Sequence, residues 1–355
     1  MSARSTTRVT ANGRDARLLI VDDSAVARAV IARMLAAKSN FVVVAAVAEA
    51  GQATEFLRRS PVDLILLDID IPGANGLSAL PDLIAAGGGA PILVISSSCA
   101  AGGPAAVQAL ALGAADTLEK PPNGALAGRF ADDLIDKLRL LLASETAGAP
   151  AARRRKIAPD RSESFDIVAI GASTGGIHAL SQVLREIPAS FRQPILITQH
   201  LPSAFMPYFA QQTTLLAQRP CEVATDRMRI VPGRVLIAPG DGHLRIVALG
   251  DGAAAVRLTR EATRSGCMPS VDPMFESVAE VFGARALCIV LSGMGRDGSV
   301  GAHRAAAAGG CIVVQDRDSS VVWGMPGAVA AAGDASAVLT PPEIGRLIAT
   351  RQRPT

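Results

Sequence analysis

Acidic, hydroxyl and amino side chains follow the predicted strands in the N-terminal third of the chain. Asp22 and Asp23 end the first apolar run, Asp68 ends the third, Ser96 ends the fourth, and Lys120 follows the fifth. The carboxyl ends of parallel strands meet at one edge of a doubly wound sheet, so these groups should share a crevice. Carboxylates suit Mg²⁺, and an ammonium group neutralises a transferred phosphoryl group. The spacing predicts a phosphate-accepting site.

Each of these side chains also has an ordinary structural explanation. Asp23 or Ser24 could cap the following helix, and Ser96 could be a turn residue. Lys120 could be a solvated charge at a strand end. Their joint occurrence at successive strand ends favours the shared crevice.

A serine in the second half of the chain has the setting of a nucleophile. Ser173 lies in the sequence GASTGG, between an apolar strand and a helix. Glycines let the backbone crowd at such a turn, and N–H groups at a helix start could stabilise an oxyanion. A phosphate-binding loop is the alternative, but GxGxxG and GxxxxGK are both absent. A structural cap at Ser173 stays open.

A serine nucleophile needs a base, and the four histidines are the candidates. His178 lies one turn into the helix after Ser173, and His303 lies in an alanine-rich helical stretch. Both are better interpreted as surface or packing residues. His200 ends the predicted strand PILITQH on the same sheet edge as Ser173, and His243, in a Gly-rich loop, is the runner-up.

The third member should be a carboxylate that orients the imidazole. Asp297 fits best, because it follows the predicted strand Ala286 to Leu291 in a glycine-rich loop. It could instead cap the helix that starts near Ser299. Asp241 and Asp272 are weaker candidates, because neither follows so clear an apolar strand.

Strand and helix patterns alternate along both halves, which predicts α/β architecture with two doubly wound parallel sheets. The polar, basic segment 141–164 has no periodic apolar face and is interpreted as a linker between domains 17–140 and 165–350. The elements expected in the first half are strands at 18–21, 41–46, 63–67, 91–95 and 116–119, and helices at 25–37, 50–58, 77–86, 105–112 and up to about 139.

Composition excludes several classes of function. Hydrophobic residues make up 49% of the 355 residues, and the net charge of +3 is too small to indicate nucleic-acid binding. The sequence lacks the long apolar stretch of a membrane span, so a soluble cytoplasmic protein without membrane insertion is expected. No disulfide framework or zinc site is predicted, because there is no CxxC pair among the five scattered cysteines, Cys99, Cys221, Cys267, Cys288 and Cys311.

The first half resembles the receiver domains of two-component response regulators, which have a flavodoxin-like fold. The motifs that carry the resemblance are LLIVDDS, LILLDIDIP followed by NGL, LVIS and TLEKP. The resemblance implies that Asp68 is the phosphoacceptor, that Asp22, Asp23 and Asp68 hold Mg²⁺, and that Ser96 and Lys120 bind the phosphoryl group. Two positions depart from the usual pattern: Thr117 replaces an aromatic switch residue, and Asn75 replaces an acidic one.

The second half resembles the catalytic domain of the chemotaxis protein-glutamate methylesterases, which is Rossmann-like. Its motifs are GASTGG, QHLP, IAPGDGH, MPSVDPMF and LSGMGRDG. The resemblance implies that Ser173, His200 and Asp297 form a catalytic triad. It also places Thr174 and the loop around Met294 beside the oxyanion.

The two resemblances together imply a phosphorylation-regulated hydrolase. Its substrates would be glutamate γ-methyl esters and glutamines of chemoreceptors, its phosphodonor a histidine kinase, and its only metal the Mg²⁺ of the receiver. Phosphorylation would release a receiver that inhibits Ser173. A DNA-binding output is disfavoured because no helix-turn-helix pattern follows, a dinucleotide-dependent oxidoreductase lacks its fingerprint, and a catalytically inactive binding module stays open.

Overall fold

The structure is a computed structural model that describes residues 15–37, 40–70, 76–97, 104–121, 128–143, 164–250 and 252–351. The chain forms two compact units. Most of the predicted linker at 141–164 lies outside the described residues, although its first three residues belong to a helix that ends at Ala143. The domain bounds 17–140 and 165–350 remain predictions.

The N-terminal unit is built on a sheet of five parallel strands. They are β1 (Ala16–Val21), β2 (Phe41–Val47), β3 (Leu64–Leu67), β4 (Ile92–Ser96) and β5 (Asp116–Glu119). Their order across the sheet is β2-β1-β3-β4-β5. The strand β2 is thus added on one side of β1 and the later strands on the other, so the topological switch point lies between β1 and β3. All four residues of β3 are buried, as expected of a strand covered on both faces. The predicted doubly wound sheet is confirmed.

Five helices connect these strands, and their bounds lie close to the predicted ones. They are α1 (Ala25–Ala36), α2 (Ala50–Arg59), α3 (Gly76–Ala86), α4 (Pro104–Ala111) and α5 (Arg129–Ala143). The hydroxyl of Ser24 accepts a hydrogen bond from the N–H of Ala27, so the expected cap of α1 is present. A Cβ atom at Gly76 would lie 2.5 Å from the Cα of Ile69. Glycine therefore lets α3 begin against the backbone that follows β3.

The C-terminal unit is built on a sheet of seven parallel strands. They are β6 (Ile167–Ala172), β7 (Ile195–Gln199), β8 (Cys221–Val223), β9 (Val235–Ile237), β12 (Ala286–Val290), β13 (Cys311–Gln315) and β14 (Ala337–Leu339). Their order is β14-β13-β12-β6-β7-β9-β8. Later strands are therefore added first on one side of β6 and then on the other, which puts a topological switch point at its carboxyl end.

A two-stranded antiparallel hairpin and six helices complete this unit. The hairpin consists of β10 (His243–Ala248) and β11 (Ala254–Thr259). The helices are α6 (Gly176–Arg185), α7 (Met206–Ala217), α8 (Val271–Phe282), α9 (Ser299–Ala307), α10 (Gly324–Ala332) and α11 (Pro341–Thr350). No helix among the described residues is long and apolar enough to cross a membrane.

Helix α8 lies at the centre of the apolar core of the C-terminal unit. Met274, Phe275 and Val278 are fully buried and pack with side chains of the sheet and of β10. Burial of these side chains stabilises the unit by roughly 1.5–3 kcal/mol for each residue. The core thereby fixes the first turn of α8.

We predict that Phe275→Ala lowers the free energy of unfolding by about 3–5 kcal/mol, because it leaves a cavity in this core. Urea unfolding followed by the fluorescence of Trp323, the only tryptophan of the sequence, measures the loss. The matched control is Phe282→Ala on the same helix, where the ring is only partly buried. Equal losses in the two variants would contradict the assignment of Phe275 to the core.

Candidate functional sites

Ser173 and His200 each follow a strand at the same edge of the seven-stranded sheet. The last paired residues of β6 and β7 are Ala172 and Gln199. The N–H of His200 donates to the carbonyl of Ala172 at 3.0 Å. Ser173 and His200, which directly follow these two residues, therefore lie at the switch point, the position that the sequence predicts for them.

The backbone of Ser173 is held by three hydrogen bonds. Its N–H donates to the carbonyl of Ser292 at 3.0 Å, and its carbonyl accepts from the N–H of Gly176 at 2.8 Å and from Nε2 of Gln199 at 2.9 Å. The Ser173 hydroxyl has no hydrogen-bond partner within the described part of the chain. The residue is thus fixed in place while its Oγ atom stays available.

Two glycines let other segments approach the serine. Gly175 has φ 75°, in the left-handed region that side chains disfavour. A Cβ atom at Gly293 would lie 2.8 Å from the Cβ of Ser173 and 2.3 Å from the sulfur of Met325. The loop that contains Gly293 and Met294 therefore passes directly beside Ser173.

His200 is hydrogen-bonded to the buried carboxylate of Asp297. The distance from Nε2 of the imidazole to Oδ2 of Asp297 is 2.7 Å. Oδ2 also accepts from the N–H of Val271 at 2.7 Å, and Oδ1 accepts from the hydroxyl of Ser270 at 2.6 Å. These three bonds fix the carboxylate, and they place the proton of a neutral His200 on Nε2, which leaves Nδ1 as the basic nitrogen.

The same contacts shift the ionisation of both side chains. Burial alone would raise the pKa of Asp297, but the hydrogen bonds from His200, Ser270 and the Val271 N–H outweigh it and lower the pKa to about 2. Burial alone would lower the pKa of His200, but its interactions with Asp297 and with the thiol of Cys267 raise the pKa to about 9. An anionic Asp297 therefore stabilises the imidazolium form of His200.

His243, the alternative base, has a different role in the structure. Its ring is fully buried, its Nδ1 accepts from the N–H of Ser270 at 2.9 Å, and its Nε2 lies 2.8 Å from the carbonyl of Glu261. Both nitrogens are thus bonded to backbone groups, and the runner-up assignment is wrong. His243 instead contacts the site indirectly, because it bonds to Ser270, whose hydroxyl bonds to Asp297.

The remaining histidines lie in the settings predicted for them. His178 on α6 has its Nε2 atom 2.7 Å from Nε2 of Gln182. His303 on α9 is exposed and lies 3.0 Å from a carboxylate oxygen of Asp334. Both therefore contact surface or packing partners away from Asp297.

The two weaker carboxylate candidates make other contacts. Asp241 is exposed and pairs with Arg260 at 2.7 Å. Asp272 accepts from the N–H of Gly301 at 2.8 Å, and burial, reinforced by the charge of Asp297, raises the pKa of Asp272 to about 6. Among the described contacts, Asp297 is the carboxylate that bonds to His200.

Sequence reasoning missed several residues around this pair. Ser270 and Val271 lie in the conspicuous motif MPSVDPMF, but nothing in its spacing indicates that they bind Asp297. Cys267, interpreted among scattered thiols, is only partly buried, and its sulfur, a His200 nitrogen and an Asp297 oxygen lie within 4.8 Å of one another. These neighbours come from loops, which have no periodic pattern.

The predicted groups of the N-terminal unit also come together. Nζ of Lys120 bonds to Oδ2 of Asp22 at 2.6 Å and to Oδ2 of Asp68 at 2.5 Å. Carboxylate oxygens of Asp22, Asp23 and Asp68 lie within 4.8 Å of one another. This set of hard oxygen donors fits Mg²⁺.

Asp68 is buried beside the charge of Asp22. Burial raises the pKa of Asp68 above its ordinary value, and the hydrogen bonds from Lys120 and from the N–H of Asp70 offset only part of that effect. Burial alone would lower the pKa of Lys120, but its bonds to Asp22 and Asp68 raise it. The lysine therefore stays protonated beside the carboxylates.

Ser96 lies at the end of β4 as predicted, but its partner is a residue that sequence reasoning missed. The fully buried Ser96 hydroxyl donates to Oδ2 of Asp70 at 2.6 Å, and the hydroxyl of Ser97 donates to the same oxygen at 2.6 Å. Thr117 lies on β5 opposite Val94, and Asn75 lies outside the described residues. The effect of Thr117 on switching remains a prediction.

The folds and sites define a class of protein in which a receiver unit is followed along the chain by a hydrolase unit with a parallel α/β sheet. The family model described as CheB methylesterase matches residues 168–348, and the model described as response regulator receiver domain matches residues 18–127. A curated relative from Caulobacter vibrioides, protein-glutamate methylesterase/protein-glutamine glutaminase 2, is 41% identical over 95% of this chain and 99% of its own length. The chain belongs to the CheB methylesterase family.

Two further similarities agree with this assignment. The protein-glutamate methylesterase/protein-glutamine glutaminase of Azospirillum brasilense is 38% identical over 95% of this chain and 93% of its own length. The crystal structure of the Thermotoga maritima CheB methylesterase catalytic domain matches with a TM-score of 0.51 and 33% identity, over 53% of this chain and 98% of that chain. The predicted fold of the second half is confirmed.

We predict that Asp297→Asn lowers the pKa of His200 below its value of about 9, although the contribution of Cys267 remains. The substitution removes the negative charge that favours the imidazolium form, whereas the burial that opposes it remains. A ¹H–¹⁵N NMR titration of the four histidines measures the shift, with His200→Gln to assign the signal. Asp241→Asn is the matched control, and a His200 titration that is unchanged in Asp297→Asn would refute the coupling.

Proposed function

We propose that this chain hydrolyses γ-methyl esters of glutamate in chemoreceptors, with release of methanol, and deamidates receptor glutamines. The observation that carries the proposal is the hydrogen-bonded pair of His200 and Asp297 beside the available hydroxyl of Ser173. Membership of the CheB methylesterase family, whose curated relatives are named for both reactions, supports it. The enzyme then acts in chemotaxis signalling in the cytoplasm.

The reaction starts with Ser173 as the nucleophile and His200 as the base. In the neutral form of His200, whose fraction rises as the pH approaches its pKa of about 9, Nδ1 accepts the hydroxyl proton while Oγ attacks the side-chain carbonyl of the substrate. The imidazolium then gives this proton to the ester oxygen, which leaves as methanol, or to the amide nitrogen of a glutamine, which leaves as ammonia. A water molecule that loses its proton to His200 hydrolyses the acyl-enzyme and regenerates Ser173.

Asp297 positions His200 and stabilises the imidazolium through both steps. Here the carboxylate bonds to Nε2, so Nδ1 is the nitrogen that remains to take the serine proton. The three donors to Asp297 keep it ionised, which preserves this tautomer.

The oxyanion of the tetrahedral intermediate requires donors near Ser173. The Ser173 N–H is already bonded to Ser292. The backbone N–H groups of Thr174 and Met294 donate no hydrogen bond to any of the described residues, and the Met294 loop passes beside Ser173. Thr174 and Met294 are therefore the residues that we assign to the oxyanion.

The receiver controls this activity through phosphorylation of Asp68. Asp22, Asp23 and Asp68 would hold Mg²⁺, which would supply positive charge to offset that of the phosphoryl group. Lys120 and Ser96 bind the phosphoryl oxygens. The Ser96 hydroxyl must leave Asp70 to do so, which gives phosphorylation a direct structural consequence. A histidine kinase supplies the phosphate.

We predict that Ser173→Ala lowers methanol release from methylated receptor by at least about 10⁴-fold, because the nucleophile is lost. Phosphorylation of Asp68 by a small-molecule phosphodonor should be unaffected. Ser203→Ala, an exposed serine just after His200, is the matched control and should keep the activity. Full turnover in Ser173→Ala would exclude it as the nucleophile.

We predict that a phosphodonor with Mg²⁺ increases methanol release by the full chain, and that Asp68→Asn abolishes this increase. The variant cannot form the acyl phosphate but keeps the side-chain size. Asp82→Asn, an exposed residue of α3, is the matched control. Stimulation that persists in Asp68→Asn would refute its role as phosphoacceptor.

A further inference from the structure

Cys267 places a thiol beside His200 and Asp297 that the proposed reaction does not use. The Cys267 side chain interacts with the His200 imidazole. The sulfur, an imidazole nitrogen and a carboxylate oxygen lie within 4.8 Å of one another. The loop after β7 contributes the imidazole of His200, the loop before α8 the thiol of Cys267, and the loop after β12 the carboxylate of Asp297. These are an intermediate, a soft and a hard metal ligand.

We propose that His200, Cys267 and Asp297 form a binding site for a thiophilic divalent cation of the Zn²⁺ type, and that the bound ion inhibits the hydrolase. Zn²⁺ binds sulfur at about 2.3 Å and nitrogen or oxygen at about 2.0–2.2 Å in a tetrahedron. These lengths put ligand atoms about 3.3–3.8 Å apart. The ligand atoms of the three side chains lie within 4.8 Å of one another, and water would complete the fourth position.

The carboxylate has the outer hydrogen bonds that an oriented metal ligand needs. The Ser270 hydroxyl and the Val271 N–H hold Asp297 at 2.6 Å and 2.7 Å. The ion takes the place of the proton between His200 Nε2 and Asp297 Oδ2, now 2.7 Å apart, so these atoms must separate by roughly half an ångström. Binding starts from the imidazolium form of His200, which carries protons on both nitrogens: the Nε2 proton and the thiol proton of Cys267 go to solvent, and Nδ1 keeps its proton.

Inhibition follows from the two nitrogens of the imidazole, and it rests on the proposed role of His200 as the base. A neutral imidazole that gives the Nε2 lone pair to a metal carries its single proton on Nδ1. This nitrogen then cannot accept the proton of Ser173. The bound ion therefore stops acyl transfer without touching the serine.

Ligand chemistry separates this ion from the Mg²⁺ of the receiver. Mg²⁺ prefers oxygen ligands, as in Asp22, Asp23 and Asp68. Thiolate and imidazole instead favour Zn²⁺ and Co²⁺ over Mg²⁺. An excess of Mg²⁺ should occupy the receiver while leaving the thiol site to the softer ion.

Co²⁺ and Zn²⁺ test the proposal on the full chain without an affinity tag, in excess Mg²⁺. We predict that Co²⁺ produces a thiolate-to-metal charge-transfer absorption band, and that Zn²⁺ inhibits methanol release reversibly on chelation. Cys267→Ser should abolish the band and weaken inhibition by at least about 100-fold, relative to its own metal-free rate. Cys221→Ser, which removes a thiol on β8, is the matched control and should keep both effects.

The two readouts separate this inference from the proposed function. Absence of the Co²⁺ band, or equal inhibition of wild type and Cys267→Ser by Zn²⁺, would overturn the metal site. A band that depends on Cys267 in a chain that releases no methanol without metal would support the metal site and overturn the proposed hydrolysis instead.

Discussion

The arrangement of the site in the C-terminal unit depends on the hydrogen bond between His200 and Asp297. A buried carboxylate is costly unless donors surround it, and Asp297 accepts from His200, from the Ser270 hydroxyl and from the Val271 N–H. The last donor belongs to the first turn of α8, where the helix dipole also favours negative charge. The packing of α8 in the core therefore fixes the position of Asp297, and through it the position of the His200 ring.

A second layer of contacts holds the donors themselves. The N–H of Ser270 donates to Nδ1 of His243, whose Nε2 faces the carbonyl of Glu261. Through these two contacts, His243 links the hairpin to the segment that holds Asp297. One histidine of the unit is thus the proposed base, and another holds the segment that bonds to the carboxylate beside it.

Sequence patterns predicted both sheets and the side chains that end their strands. Asp22, Asp68 and His200 were found because a strand end has a fixed place in a doubly wound sheet. Asp70 and Cys267 were not, because they approach their partners from loops, where neither period nor spacing constrains direction. His243 was kept as the alternative base for the same reason: its loop lies near the site, but only the fold shows which backbone groups its ring contacts.

Two of the buried carboxylates, Asp68 and Asp297, differ in ways that match different chemistry. Asp297 has three donors and a lowered pKa, so its charge is satisfied and it can orient His200 without reacting. Asp68 has Lys120 and one backbone N–H against burial and the charge of Asp22, and its pKa is raised. Its charge is incompletely compensated, which is the condition under which a divalent cation binds and a carboxylate oxygen can act as a nucleophile. The number of donors around each carboxylate thus agrees with the proposed roles, Asp297 as an orienting group and Asp68 as the phosphoacceptor.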